Sequence, residues 1–421
     1  MADKSVFMMK LNFGKFLVIG FIGLFLFACG SGESGQLIGV LDRPTWKGVN
    51  PYGMVYVPSG TFHIGNSDED INRTFSQRAK SISVQGFYMD DTEISNNEYR
   101  QFTNWVRDSI AHSYLDHYIE NELTGELSID WEMEIDWEDE ILMDMYYQGA
   151  DKFAGKQQLN TDKFVYEYEW YDWNAAAHDK NDAPRSKYIK RDKVNVYPDT
   201  LVWIRDYSYS YNEPMTRNYY WHPAFDDYPV VGVNWDMANA FCYWRSRLWD
   251  KYEGTEVNTE EFRLPTEHEW EYASRGGRDL APYPWGGPYL RNSKGCLLAN
   301  FKPGRGNYPE DGGLYTVKVD SYFPNEYGLY NMAGNVAEWT SSAFDENAYS
   351  FIHDLNPDIR YDAKDDDPIS YKRKVIRGGS WKDIAFYLQT GSRHWEYQDT
   401  TKSSVGFRCA LTFLGRSIDD F

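Results

Sequence analysis

The capping box at Thr266 and Glu269 opens one helix and Gly276 closes it. Beyond that glycine the chain holds only short strand-like runs between turns. Such a chain must build its core largely from loops. Its composition suits such a core, because 17% of residues are aromatic, with 34 Tyr and 16 Trp, side chains of large contact area with a polar handle.

Upstream, a few segments are legible. Met54–Val57 reads as a strand, Pro58-Ser59-Gly60 as a turn, and Thr61–Gly65 and Ser81–Val84 as further strands. Ser95 with Glu98 is a second capping box, and Tyr99, Phe102 and Val106 share one face of the helix it opens. Asn234–Trp244 reads as another capped helix, and no internal repeat is evident.

Residues 111–225 differ. Asp130–Glu140 sets acids between large apolar groups, and Val165–Trp173 alternates Tyr, Glu and Trp. The segment is too aromatic for ordinary disorder. Its patterns fit an exposed strand, a solvated hairpin or a surface that meets a partner. Removal of the segment is expected to abolish partner binding and to leave the core folded.

The N-terminus is an address. Lys10 and Lys15 precede the apolar run Phe16–Ala28, which is short for a membrane span and is followed by Cys29-Gly30-Ser31-Gly32. Leu26-Phe27-Ala28-Cys29 resembles a bacterial lipobox. Residues 1–28 then form a lipoprotein signal, with Met8 or Met9 as an alternative start, and Cys29 carries the lipid. Residues 29–53 form the tether and linker, flexible over Gly30–Gln36. No Asp follows Cys29, which points to the outer membrane, on its periplasmic face, where disulfides persist. The net charge of -21 argues against nucleic acid or an anionic lipid face as the main partner. Four cysteines without CxxC or HxxxH spacing argue against a disulfide framework and a structural zinc.

Several strings together resemble the formylglycine-generating (sulfatase-modifying) enzyme family. They are Arg263–Ala273, Pro284-Trp285-Gly286, Tyr327–Trp339, Arg377–Trp381 and Gly406–Cys409, with Met54–Thr61 and Phe87–Asn97 ahead of them. The likeness implies an α+β, C-type-lectin-like fold of low regular secondary structure over 54–110 and 226–413, the 111–225 insertion, and a tail at 414–421. Val202–Asp206 and Asn212–Met215 further resemble the gliding-motility lipoproteins of the type IX secretion system, the GldK (PorK) family. That implies a ring of copies of the chain at the outer membrane, with GldN (PorN) and other secretion components as partners.

The family's enzymes oxidise a substrate cysteine with two copper-binding cysteines, and thiolate is the soft ligand that copper(I) requires. By resemblance those positions are Asp383 and Leu388 here, so neither copper nor catalysis is expected. Ser380 matches the family. Asp383, His394 and Glu396 are the acid/base candidates for any other chemistry in the cleft. The resemblance further implies a disulfide between Cys242 and Cys409; Cys296 has no obvious partner and is expected to be buried. It also implies two structural calcium sites. One uses Asn300, the carbonyl of Phe301, Asp311 and the carbonyl of Gly313. The other uses Asn331, the carbonyls of Gly334 and Val336, and Glu338. Hard oxygen donors of this kind suit calcium. Against the scaffold reading stand an active modifying enzyme with altered residues and a glycan-binding lectin-like module.

Overall fold

A computed structural model describes residues 50–415 apart from 67–78, 122–124, 126, 180–182, 209–213, 254–259, 305–308 and 311–312. The signal, Cys29, Asp311, part of the Asn212–Met215 string and most of the tail lie outside the described residues.

Both capping boxes form. Ser95 Oγ accepts from the Glu98 amide while Glu98 reaches back to the Ser95 amide, opening helix α1 (Asn96–Tyr114). Asn234 Oδ1 accepts from the Met237 amide at 2.9 Å at the head of α2 (Trp235–Glu253). Thr266 and Glu269 cap α3 (Glu267–Arg275), and Gly276 ends it in the left-handed conformation, φ +57°. Without a Cβ, glycine adopts that conformation at little cost.

Three strands from distant parts of the chain make the first sheet. β1 (Met54–Val57) and β13 (Ala410–Thr412) flank β4 (Phe87–Asp90), both antiparallel to it. β2 (Gly60–Ile64) and β3 (Lys80–Val84) form a separate antiparallel pair. β5 (Tyr118–Glu120) pairs with β6 (Leu127–Ile129), and β7 (Val165–Tyr171) with β8 (Ile189–Asn195). The last sheet runs β11 (His394–Tyr397), β10 (Arg373–Arg377), β9 (Ala337–Ala343), β12 (Val405–Gly406), with β12 parallel to β9.

The main core lies where α1 meets α2. Tyr99 stacks on Phe241 at 5.6 Å between ring centroids, and both meet Phe407 edge-on. Phe102 packs against Trp244 in the same cluster. A second core sets Trp270 of α3 against Phe62 and Ile82 of β2 and β3.

The 111–225 stretch is woven into this core. Helix α1 continues to Tyr114. Phe164, Tyr166, Tyr168, Val196 and Tyr220 belong to the same buried cluster as Tyr99 and Phe241. Strand β7 alternates because Tyr166 and Tyr168 face inward, whereas Glu167 and Glu169 face water and pair with Lys193 and Arg191 of β8 at 2.9 and 2.6 Å. A core left intact by removing these residues is therefore not what the packing supports. Cys296 also departs from expectation: it is exposed. It sits in the turn-rich stretch where the Asn292 amide donates to the Cys296 carbonyl at 2.9 Å.

Candidate functional site

Strand β10 delivers the chain into Gly378 and Gly379, with φ of +90° and +67°. A Cβ on Gly379 would lie 2.8 Å from the Tyr387 carbonyl oxygen and 3.0 Å from Leu388 Cδ1, so the turn closes only over glycine. Ser380 follows, buried. Its amide and hydroxyl both donate to Asp383 Oδ2, at 2.9 and 2.6 Å. The Asp383 amide donates back to the Ser380 carbonyl at 2.9 Å, and the Lys302 amide donates to the Asp383 carbonyl at the same distance. Asp383 thus serves as the acceptor that closes a tight turn. Leu388 has no exposed surface and packs among Tyr283, Leu297, Ala299, Phe301 and Ala333.

Of the three acid/base candidates, Asp383 and His394 share one neighbourhood. Burial lowers the pKa of His394, with Asp383 acting in the opposite direction. The His394 ring meets Tyr387 edge-on at 4.2 Å, and among the described residues its buried Nε2 finds no hydrogen-bond partner. Glu396 turns elsewhere, to Lys402. Ser380 has a carboxylate for its hydroxyl proton and no imidazole in contact, so the Ser–His pairing that activates a serine is not assembled.

Beneath the turn lies a set of buried ion pairs. Arg377 donates to Glu271 at 3.0 Å and to Tyr349 at 3.2 Å, Arg393 grips both oxygens of Glu267 at 2.7 and 3.0 Å, and Arg275 donates to Glu271 at 2.6 Å. Burial pushes the Glu267 carboxyl up, but Arg393, His268 and Arg377 outweigh it and hold the group at about 2. Paired charges of this kind hold geometry, and losing one partner is costly.

The two oxygen-rich sets lie side by side. Asn300 Nδ2 reaches Asn335 Oδ1 at 3.4 Å, and the Asn335 amide donates to the Asn300 carbonyl at 2.8 Å. Gly313 crowds Asn300 so closely that a Cβ there would fall 2.3 Å from Asn300 Oδ1. In the second set Glu338 accepts from Trp270 Nε1 at 2.7 Å and from Arg408 Nε and Nη2 at 2.7 and 2.6 Å. Asn331 and Asn335 donate their amides to the buried carboxyl of Glu93 at 2.9 and 3.0 Å. Burial first, then the Glu338 charge, push Glu93 up to about 8. Among the described residues Asn331 Oδ1, which is buried, finds no hydrogen-bond partner. Among the described residues Glu338 Oε1 receives one hydrogen bond, from Arg408. The buried Asn331 amide oxygen is a hard donor of the kind calcium takes, while Arg408 and Trp270 already engage both oxygens of Glu338. In the first set the structure brings Asn300 and Gly313 together, while Asp311 lies outside the described residues. Among the described residues, no group of three or more His, Cys, Asp or Glu is arranged to hold a metal.

The family model described as "Sulfatase-modifying factor enzyme 1-like domain" matches residues 44–413. The chain belongs to the sulfatase-modifying factor enzyme 1-like family. It is 28% identical to the mouse formylglycine-generating enzyme over 375 residues, which is 86% of this chain and 75% of that one. It is 30% identical to the bovine "Inactive C-alpha-formylglycine-generating enzyme 2" over 263 residues, 59% of this chain and 70% of that one. Among solved structures, PvdO from Pseudomonas aeruginosa aligns at a TM-score of 0.48 and 16% identity, over 86% of this chain and 94% of its own.

Relatives in the sulfatase-modifying factor family thus include proteins named as enzymes and proteins named as inactive. The family match runs across residues 111–225 as well as the flanking parts. Cys242 and Cys409 are both buried, with their sulfurs 3.4 Å apart as thiols. The residues that sequence reasoning missed are the charged partners: Glu93, Glu267, Arg377, Arg393 and Arg408. Four of these sit inside the family-like strings Phe87–Asn97, Arg263–Ala273, Arg377–Trp381 and Gly406–Cys409, and that placement is the signal that could have found them.

Proposed function

We propose that this chain is a non-catalytic structural lipoprotein of the type IX secretion and gliding-motility machinery, of the GldK (PorK) kind. It is held through Cys29 at the periplasmic face of the outer membrane and builds a ring with GldN (PorN). The observation that carries the non-catalytic part is the state of Asp383 and Leu388. One closes the Ser380 turn with a hard oxygen donor, and the other fills an apolar core, so neither offers a soft ligand to copper(I). A relative named as inactive supports the same reading. The type IX assignment rests on the lipobox-like Leu26–Cys29 and on the strings Val202–Asp206 and Asn212–Met215. Exposed Ile119, Leu127, Phe153, Trp173 and Leu201 within 111–225 supply apolar contact area.

Calcium, held by Asn331, Glu338 and the carbonyls of Gly334 and Val336 in one set and by Asn300, Asp311 and the carbonyls of Phe301 and Gly313 in the other, braces loops in this reading. The Cys242 and Cys409 thiols close to a disulfide in an oxidising compartment.

The native lipoprotein, extracted in mild detergent, is expected to elute as a large particle with one stoichiometric periplasmic partner. A monodisperse monomer without a partner would overturn the scaffold reading.

A further inference from the structure

After α1 ends at Tyr114, the chain doubles back through Asp116, whose φ of +58° is left-handed. The turn is pinned. The Leu115 amide donates to the Ala111 carbonyl and the His117 amide to the His112 carbonyl, each at 3.0 Å. As a result two imidazoles face each other, with His112 Nδ1 and His117 Nδ1 3.0 Å apart. His112 is buried, with its ring edge-on to Trp131 at 5.4 Å, and Trp131 stacks on Trp105 at 5.3 Å. His117 is half-buried.

Two ring nitrogens reach 3.0 Å in one of two ways: one donates a proton to the other, or both lone pairs face a common cation. Metal–nitrogen bonds of about 2.0–2.1 Å in a tetrahedral site put two ligand nitrogens about 3.3 Å apart. An ion of that class enters this gap with a shift of a few tenths of an ångström. Neutral imidazole suits such ions. Asp108 and Asp130 are the acidic groups that act on His112. Neither acid is a third ligand in this arrangement. Asp108 accepts from Arg107 Nε at 2.7 Å, and Asp130 from the Glu132 amide at 3.0 Å. Among the described residues no third His, Cys, Asp or Glu joins the pair, so the proposed site has two protein ligands and leaves its other positions to water.

We propose that His112 and His117 form a two-nitrogen site for a divalent first-row transition ion of the zinc and copper(II) class. It is distinct from the oxygen-rich sets around Asn300 and Asn331. On binding, the ring that donates through Nδ1 moves its proton to Nε2, and both Nδ1 lone pairs ligate.

The full chain, stripped with a chelator, is titrated with Zn2+ by calorimetry at about pH 7.5, where imidazole is neutral. Wild type and His178→Ala, which changes an exposed histidine elsewhere, are expected to bind Zn2+ alike. His117→Ala is expected to weaken that binding at least about tenfold, while its metal-free thermal midpoint stays near wild type. His112→Gln, which keeps a polar side chain in the buried position, is expected to weaken it as much. In wild type, Cu2+ electron paramagnetic resonance is expected to show hyperfine coupling to two imidazole nitrogens. Equal affinity in wild type and His117→Ala would overturn the site, as would a wild-type chain that binds no ion, leaving a proton-sharing histidine pair.

Discussion

Asp383 Oδ2 receives both the amide and the hydroxyl of Ser380, at 2.9 and 2.6 Å. One carboxylate oxygen therefore satisfies two donors at the turn after the Gly378-Gly379 pair. Asp383→Ala leaves the buried Ser380 donors unmet and is expected to cost about 1–3 kcal/mol in urea unfolding. It is not expected to change partner binding. Neither wild type nor the variant is expected to oxidise a cysteine-containing peptide with copper(I) present. Mass spectrometry of the peptide reads this directly, and turnover by wild type that disappears in Asp383→Ala would refute the non-catalytic reading.

Leu388 is a packing residue. Truncation to Ala is expected to cost about 2–5 kcal/mol, through lost burial and the cavity left among Tyr283, Leu297 and Phe301. Leu388→Met, which nearly conserves volume, is expected to cost less than about 1.5 kcal/mol. Equal denaturant midpoints for wild type and Leu388→Ala would show that the cluster contributes little.

Glu267 sets an acid limit on stability. Its folded pKa lies near 2 against an ordinary value of 4.5. Because the folded value is the lower, the stabilisation is complete above 4.5 and is lost as the pH falls from there toward 2. Glu267→Gln is expected to flatten the thermal midpoint across that window. At neutral pH it is expected to cost about 3–5 kcal/mol, because Arg393 and Arg377 keep their charge in a buried setting. A variant as stable as wild type at neutral pH would contradict this.

Residues 111–225 are expected to resist excision. Removing them uncovers Tyr99, Phe102 and Phe241, so the deletion variant is expected to be insoluble or to lack near-ultraviolet circular dichroism. The cleaner probe of partner contact is a pair of exposed positions. Phe153→Ala and Trp173→Ala are expected to shift stability by within about 0.5 kcal/mol and to reduce co-purification of the partner. Full partner recovery from both variants would place the contact elsewhere.

Cys242 and Cys409 are expected to cross-link on oxidation, seen as one linked peptide pair under non-reducing digestion. The bond would close a span of 167 positions, and a loop of that length gains about 5 kcal/mol in the chain-entropy account. Two alkylated thiols recovered from the native, unreduced protein would count against the bond.

The sequence alone determined the local features. Both capping boxes, the Gly276 stop, and the strands at 54–57 and 81–84 were legible because each rests on hydrogen bonds or alternation within a few residues. The family strings were legible for a similar reason: turn geometry at Gly379 or Asn335 tolerates few residue types. Tertiary structure decided everything that joins distant positions. The alternation in Val165–Trp173 did not reveal that Tyr166 and Tyr168 close over the core beside Phe102, since a half-buried strand and a partner-facing one share the same period. Nor could spacing show that Asp383 would turn to Ser380 while Glu396 turned to Lys402, or that Glu93 and Glu338 would meet across 245 positions of chain around Asn331 and Asn335. A buried carboxylate must find its counter-charge or donors wherever the fold brings them, and that search is settled only when the chain has folded.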